Sequence, residues 1–332
     1  MSRITVLGAG AWGTALAISL ARRGGHRLCL WAHTSSLAEQ LHESGENLTY
    51  LPGFILPVDV HVTSDLPEAI FEADIIVSVV PSQHLRSVIS HIAPLLTPHQ
   101  IILSASKGIE ETSYLRMSQV IASVTDNPCA VLSGPSFAQE VAAASPTAIV
   151  AAASDIRLAQ TIQREFSSPT LRLYTNDDVT GVELGGALKN VIALAAGVVK
   201  GLNLGHNSSA ALITRGIAEM TRLAIACGGR RATLTGLSGV GDLILTCTGE
   251  LSRNRAVGIE LGRGRQLDTI LSGMGGKVAE GVLSTAAALG LAGRYGVEMP
   301  ITEQVDAILH RNKVPGDAIR ELMSRPGRDE HQ

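Results

Sequence analysis

Apolar and polar positions fall into two different rhythms along the chain, and the rhythm changes near the middle. In the first half, short runs of strand length recur at Ile4 to Leu7, Arg27 to Trp31, Ile75 to Val80, Ile101 to Ser104, Ala130 to Leu132 and Ala148 to Ala151. Helix-length segments such as Thr14 to Arg23 lie between several of them. Strands that alternate with helices predict a mainly parallel sheet covered on both faces. After about Asp178 the β-branched runs give way to long Ala, Leu and Gly segments with helical periodicity, as at Gly181 to Leu202 and Leu212 to Cys227. The second half is therefore expected to be all helical. The boundary should lie near residues 178 to 190, which divides the chain into a domain of residues 1–185, a helical domain of residues 186–325 and a mobile tail of residues 326–332.

Composition agrees with two folded domains: 332 residues is about twice the usual ~150 per domain. With 45% hydrophobic and 17% charged residues and a net charge of -3, the chain is neither disordered nor built as a general nucleic-acid binder. The four cysteines, Cys29, Cys129, Cys227 and Cys247, show no metal-ligand spacing and read as reduced thiols in cytoplasm. The uncharged stretch from Ile4 to Ala21 superficially resembles an export signal, but Gly8, Gly10, Trp12 and Gly13 interrupt it. The next longest apolar run, Val191 to Val199, is far shorter than the ~18 residues of a membrane span.

The placement of glycine says more than its abundance. Gly8, Gly10 and Gly13 form G-x-G-x-x-G between a strand and a helix, the context of a dinucleotide fingerprint. There the first glycine permits the turn, the second lets the backbone approach a diphosphate, and the third lets helix and strand pack closely. This predicts a doubly wound, Rossmann-type N-terminal domain; the alternative is a glycine turn without ligand. An acidic residue normally closes the second strand and binds the ribose of NAD, but here the sequence reads Leu30-Trp31-Ala32-His33-Thr34. His33, Thr34 and Ser35 could instead donate to a 2′-phosphate, so NADPH is expected to be tolerated or preferred over NADH, unless His33 is a surface imidazole without a role.

Lys107 in SASKG follows a strand at the carboxyl end of the sheet, where such folds place ligands; it is either an anion-binding ammonium or a surface lysine. LSGPSFAQEV places Gly134 and Ser136 at a second strand end, as donors to a ligand or as an ordinary turn. In the helical half, Lys189 has Gly185, Gly186, Ile192 and Ala193 as its helical neighbours, so no carboxylate on its own helix can pair with it. Desolvation would lower its pKa toward that of a general acid or base, whereas a snorkelling lysine at the helix edge would stay charged. Asp242 in LSGVGDL is a helix cap or a carboxylate for a substrate hydroxyl or the lysine. Ser252-Arg253-Asn254-Arg255 suits a phosphate or is a solvated face, and Val278 and Glu280 in KVAEGV suit a nicotinamide amide or a helix start.

Taken in order, GAGAWGTALA, SASKGIE, LSGPSFAQEV, ELGGALKNVIALAAG, LSGVGDL, SRNR and KVAEG resemble the bacterial NAD(P)-dependent glycerol-3-phosphate dehydrogenases, from Ile4 to beyond Gly281. The resemblance implies reversible reduction of dihydroxyacetone phosphate to sn-glycerol 3-phosphate for phospholipid synthesis, with Lys189 as the proton-transfer residue. It implies substrate contacts from Lys107, Gly134, Ser136, Lys189, Asp242, Ser252, Arg253 and Asn254. Cofactor contacts would come from Gly8, Gly10, Ala11, Trp12, Gly13, His33, Lys107, Ala138, Arg253, Val278 and Glu280. Ala11 departs from the family by standing where serine is frequent, which leaves that contact to a backbone amide. A cytoplasmic homodimer joined through the helical half, with no metal, nucleic acid or membrane insertion, is expected. Other readings are a two-domain β-hydroxy acid dehydrogenase, against which the SRNR cluster counts, and a non-catalytic NADP-binding sensor in which Lys189 would be dispensable.

Overall fold

The computed structural model describes residues 1–274 and 279–327. The first half carries ten strands: β1 (Ser2–Leu7), β2 (His26–Trp31), β3 (Glu46–Asn47), β4 (Leu51–Ile55), β5 (Val60–Thr63), β6 (Ile75–Ser78), β7 (Ile101–Ser104), β8 (Cys129–Ser133), β9 (Thr147–Ala152) and β10 (Leu171–Asn176). Seven helices lie among them: α1 (Ala11–Arg23), α2 (Ser35–Ser44), α3 (Leu66–Ile70), α4 (Leu85–Ile92), α5 (Met117–Ala122), α6 (Ala138–Ala142) and α7 (Ile156–Phe166). The rest is helical: α8 (Val179–Gly201), α9 (His206–Ala226), α10 (Arg231–Leu234), α11 (Asp242–Thr248), α12 (Arg253–Gly262), α13 (Leu267–Ser272), α14 (Glu280–Tyr295), α15 (Pro300–His310) and α16 (Pro315–Met323).

Eight strands form one sheet in the order β10-β9-β8-β7-β6-β1-β2-β5, while β3 and β4 make a separate antiparallel pair. Every pairing in the large sheet is parallel except β8 with β9. Both faces are buried, as continuous apolar strands require: Ile4, Val6, Ile75, Val77 and Leu103 pack on one side, Leu7, Ile76 and Ile102 on the other. The chain leaves β1 first toward β2 and β5 and later toward β6 and β7, so the order reverses between β1 and β6. Ligands of open α/β sheets bind at such a switch point, beyond the carboxyl ends of the strands.

The six strands expected from hydrophobic runs are present, with β6 ending at Ser78 shortly before Pro81. The pattern did not reveal β5, β10 or the β3–β4 pair. β10 alternates (LRLYTN) with Arg172 and Tyr174 exposed, as an edge strand can, and so lacks the continuous apolar run of its neighbours. α9 begins at His206, six residues before the expected Leu212, because its first turns are mostly exposed and carry no apolar stripe.

The second half is organised around α8. This 23-residue helix is long and apolar enough to cross a membrane, yet from Gly181 to Val199 it is buried by its neighbours. Asp178 caps it, accepting from the N–H of Gly181 at 2.8 Å and also from the N–H of Arg230 at 2.8 Å. Gly197 and Gly201 on α8 face Gly258 and Gly262 on α12 so closely that a Cβ on Gly258 would stand 2.0 Å from the Leu194 carbonyl oxygen. Backbone therefore meets backbone along this seam, and it brings the start of α12 against the middle of α8.

Gly258→Val should lower the unfolding free energy by about 3 kcal/mol or more, since the helices must separate to admit the side chain. Gly293→Ala on α14, where an added Cβ meets nothing within 4 Å, should stabilise or be neutral. Chemical denaturation of both variants tests the seam; equal effects would show that the close approach is not what holds α12.

Candidate active site

The sheet's carboxyl edge and the helical domain face each other across one set of charged side chains. Asp242, the first residue of α11, is 1% exposed, and its carboxylate accepts from two lysines at once. Lys189 Nζ, from the middle of α8, donates to Oδ1 at 2.6 Å; Lys107 Nζ, from the loop after β7, donates to Oδ2 at 2.7 Å. Lys107 also donates to the Gly134 carbonyl oxygen at 3.0 Å, and Lys189 to Thr246 Oγ1 at 2.9 Å. The Thr246 hydroxyl in turn donates to the Asp242 carbonyl oxygen at 2.6 Å, which leaves its lone pairs turned toward the lysine.

Burial lowers the pKa of Lys189 from 10.5 to about 8; the negative charge of Asp242 opposes that shift and the positive charge of Lys107 adds to it. Two ammonium groups share one carboxylate, so the cluster keeps a net positive charge in a largely dry setting. Such a site favours an anion or an oxygen on which negative charge develops.

Small residues make the convergence possible. Gly134 has φ +130°, and a Cβ there would meet Ile149 Cα at 3.0 Å. A Cβ on Gly186 of α8 would stand 2.7 Å from Ser133 Oγ and 3.6 Å from the Lys107 stem, and one on Gly185 would stand 2.3 Å from the Ser238 carbonyl oxygen. The side chains of residues 185 and 186 are thus absent where the lysine of β7's loop and the turn before α11 must enter.

Ser136 Oγ donates to the Gly134 carbonyl oxygen at 2.9 Å, within the same loop, and Ala138 opens α6 against the core. Ser252 caps α12, accepting from the Arg255 N–H at 3.2 Å. Asn254 is buried, donating to Asn190 Oδ1 at 2.9 Å and accepting from the Gly281 N–H at 2.9 Å. Its amide ties α12 and α14 to the residue after Lys189. Arg253, between them in sequence, is exposed in the first turn of α12. Glu280 opens α14, accepts from Ser82 Oγ at 2.9 Å and has its pKa raised by burial, with Ser82 and Arg253 opposing the rise. A Cβ on Gly108, next to Lys107, would collide with Ser82 at 2.5 Å, so this contact lies against the Lys107 loop. Val278 lies outside the described residues.

The glycine turn lies at the switch point. Gly8 has φ +119° and packs on Val79, and a Cβ on Gly13 would stand 1.9 Å from the Gly8 carbonyl oxygen, so both positions require glycine. A Cβ on Gly10, by contrast, meets nothing within 4 Å. Open space above an extended residue that starts a helix leaves room for a diphosphate against the amides of Gly10, Ala11 and Trp12, and these residues fit a dinucleotide. His33 is exposed just past β2, edge-on to Trp31 with ring centroids 5.6 Å apart, and Thr34 caps α2. Thr246, Ser82 and Asn190 escaped the sequence reading. Thr246 had a usable signal, four residues and one helical turn after Asp242.

A glycine fingerprint at a switch point, facing a buried lysine and carboxylate from an all-helical domain, defines a two-domain nicotinamide-dependent dehydrogenase. The profile for the N-terminus of NAD-dependent glycerol-3-phosphate dehydrogenase matches residues 3–159 and that for its C-terminus residues 178–320. The chain belongs to this family of oxidoreductases. It is 62% identical to glycerol-3-phosphate dehydrogenase [NAD(P)+] of Acidobacterium capsulatum, covering 99% of this chain and 100% of that protein. Identity to the protein of the same name from Koribacter versatilis is 58%, over 99% of each. The crystal structure of glycerol-3-phosphate dehydrogenase from Coxiella burnetii superposes with a TM-score of 0.94 at 40% identity, covering 98% of this chain and 99% of that one.

Asp242→Asn should move the Lys189 titration below about 8, because the only change in charge is loss of the carboxylate that raises it. An NMR titration of lysine labelled with 15N at Nζ reads this directly. A midpoint that stays put or rises would refute the charge coupling.

Proposed function

We propose that this protein reduces dihydroxyacetone phosphate to sn-glycerol 3-phosphate with NADPH or NADH, reversibly, as a supply of glycerophosphate for phospholipid synthesis. The observation that carries this reading is Lys189, buried, bonded to Asp242 and shifted to about 8, in a chain of this family. At neutral pH it holds a proton that it can part with, which is what a general acid needs.

Gly8, Gly10, Ala11, Trp12 and Gly13 would hold the diphosphate, His33 the adenosine end, and Ala138, Arg253, Val278 and Glu280 the remainder of the cofactor. When bound, the reduced nicotinamide supplies a hydride. Lys189 Nζ gives its proton to the carbonyl oxygen as that oxygen becomes an alcohol. Lys107 stabilises the negative charge developing there, and Asp242 keeps both ammonium groups in place and aimed at the same point. Arg253, with Ser252 and Asn254 at the start of α12, receives the phosphate, assisted by Gly134 and Ser136. Asn254 acts through position, since Asn190 and Gly281 already engage its amide and carbonyl. Binding energy from the phosphate helps to orient the distant carbonyl.

In this reading residues 1–185 bind the dinucleotide and residues 186–325 close over the substrate, and the protein works as a cytoplasmic homodimer joined through the helical half, without membrane insertion. The burial of α8 supports the last point, because its apolar surface is already covered.

Purified protein should oxidise NADPH when given dihydroxyacetone phosphate and not when given dihydroxyacetone. In the reducing direction kcat/KM should fall as pH rises through about 8, because Lys189 loses the proton it must donate; in the oxidising direction the same limb should have the opposite slope. Lys189→Ala should still bind NADPH but lose about 100-fold or more in kcat. Arg253→Ala should lose about 10-fold or more in kcat/KM for the phosphorylated substrate. Tight NADPH binding without turnover would favour the sensor, and turnover indifferent to the phosphate would favour a β-hydroxy acid substrate.

A further inference from the structure

A fully buried polar side chain from outside the fingerprint touches the glycine turn. Asn47 belongs to the two-residue strand β3, in the small β3–β4 pair that is separate from the main sheet. It is 0% exposed. Its Nδ2 donates to the Ala9 carbonyl oxygen at 2.9 Å and to Thr14 Oγ1 at 2.8 Å, and its Oδ1 accepts from the Tyr50 N–H at 3.0 Å. Both donors are thus spent on the glycine turn and on the helix that follows it, and the acceptor holds the amide in its own hairpin.

The position of that bond has a consequence for the turn. A peptide unit is planar, so its carbonyl and the following N–H point in opposite directions. Fixing the Ala9 carbonyl toward β3 fixes the Gly10 N–H toward the opposite side. That unit precedes the residue whose Cβ direction is open, at the start of α1. Glycine at 8 and 10 leaves this loop more conformational freedom than other residues would, and glycine alone does not choose one peptide orientation over its flipped counterpart. Gly8 is held by its N–H bond to the Trp31 carbonyl oxygen (3.1 Å) and Gly10 by its carbonyl bond from Thr14 N–H (3.0 Å). Asn47 holds the peptide between them.

We propose that Asn47 is a positioning residue for the dinucleotide: it locks the Ala9–Gly10 peptide so that the Gly10 amide faces the diphosphate, and the β3–β4 pair exists in part to deliver it. The inference rests on the proposed cofactor site. Asn47 does not touch the ligand; it acts through the backbone of the turn. Its loss should weaken compounds that carry a diphosphate and spare steps that do not involve one.

The test compares Asn47→Asp, which keeps shape and the acceptor toward Tyr50 while removing both donated bonds, with Asn47→Ser, in case the aspartate disturbs folding. Binding of NADPH is followed by its fluorescence, and ADP and adenosine serve as competing probes. For either folded variant the dissociation constants of NADPH and ADP should rise about tenfold, corresponding to ~1.4 kcal/mol, while that of adenosine changes less than twofold. At saturating NADPH, kcat and the KM for dihydroxyacetone phosphate should also stay within about twofold of the parent, a split that general loosening of the fold would not produce. Parent-like ADP and NADPH binding in a folded variant would overturn the inference, as would equal weakening of ADP and adenosine. Failure of the parent protein itself to bind NADPH would instead count against the function proposed above.

Discussion

The carboxylate of Asp242 is the point on which the two halves of the molecule depend. It is nearly inaccessible to water and lies between an ammonium from the sheet's edge and one from the central helix of the other half. A buried carboxylate alone would cost several kcal/mol of lost hydration; with two cationic partners at hydrogen-bond distance that cost is offset by attraction. Lys189 and Asp242 both belong to the helical half and Lys107 to the sheet half, so the cluster is complete only when the halves are docked, and loss of Asp242 would leave two ammonium groups without their counter-charge. The same arrangement supplies what the proposed chemistry needs: an amine whose proton is loosely held, beside a second positive charge in a dry setting.

Such a cluster needs a scaffold that brings three distant segments to one point without filling it, and the small residues of α8 meet that need. Gly185 and Gly186 admit the turn before α11 and the stem of Lys107, while Gly197 and Gly201 let α12 lie backbone to backbone on the same helix. Helical propensity argues against so many glycines, at roughly 1 kcal/mol each relative to alanine. Burial on every side offsets this, since α8 has no solvent-facing stripe to maintain. The seam and the Asn254–Asn190 bond fix the first turn of α12, and with it Arg253, against the middle of α8.

Features that depend on local chemistry were legible in the sequence. The six apolar strands, the glycine turn and the switch to helix all follow from periodicity or from a backbone demand that glycine alone meets. Lys189 could be singled out because the absence of a carboxylate one turn away is a local fact; the identity of its partner, 53 residues on, is not. Asp242 was open to two readings, and only the fold distinguishes a carboxylate shared by two lysines from a helix cap. Edge strand β10, whose outward residues are polar, gave no run to detect. Asn47 was invisible for a similar reason: an asparagine in a short loop-like segment is an ordinary turn residue until tertiary structure places it against Ala9.

The charge balance also suits the reversible reaction proposed for the site. A lysine with an unshifted pKa would stay protonated through neutral pH and serve poorly as a base, whereas one shifted much further would seldom carry the proton needed for reduction. Two opposing influences set the value between these limits: burial and Lys107 push it down, and Asp242 holds it up. The bonds of Lys107 to Asp242 and to the Gly134 carbonyl tie one of these influences to the geometry of the β7 and β8 loops. Movement of those loops would change the acidity of Lys189 along with its position. The part of that acidity owed to Lys107 therefore depends on how the β7 loop meets the helical half.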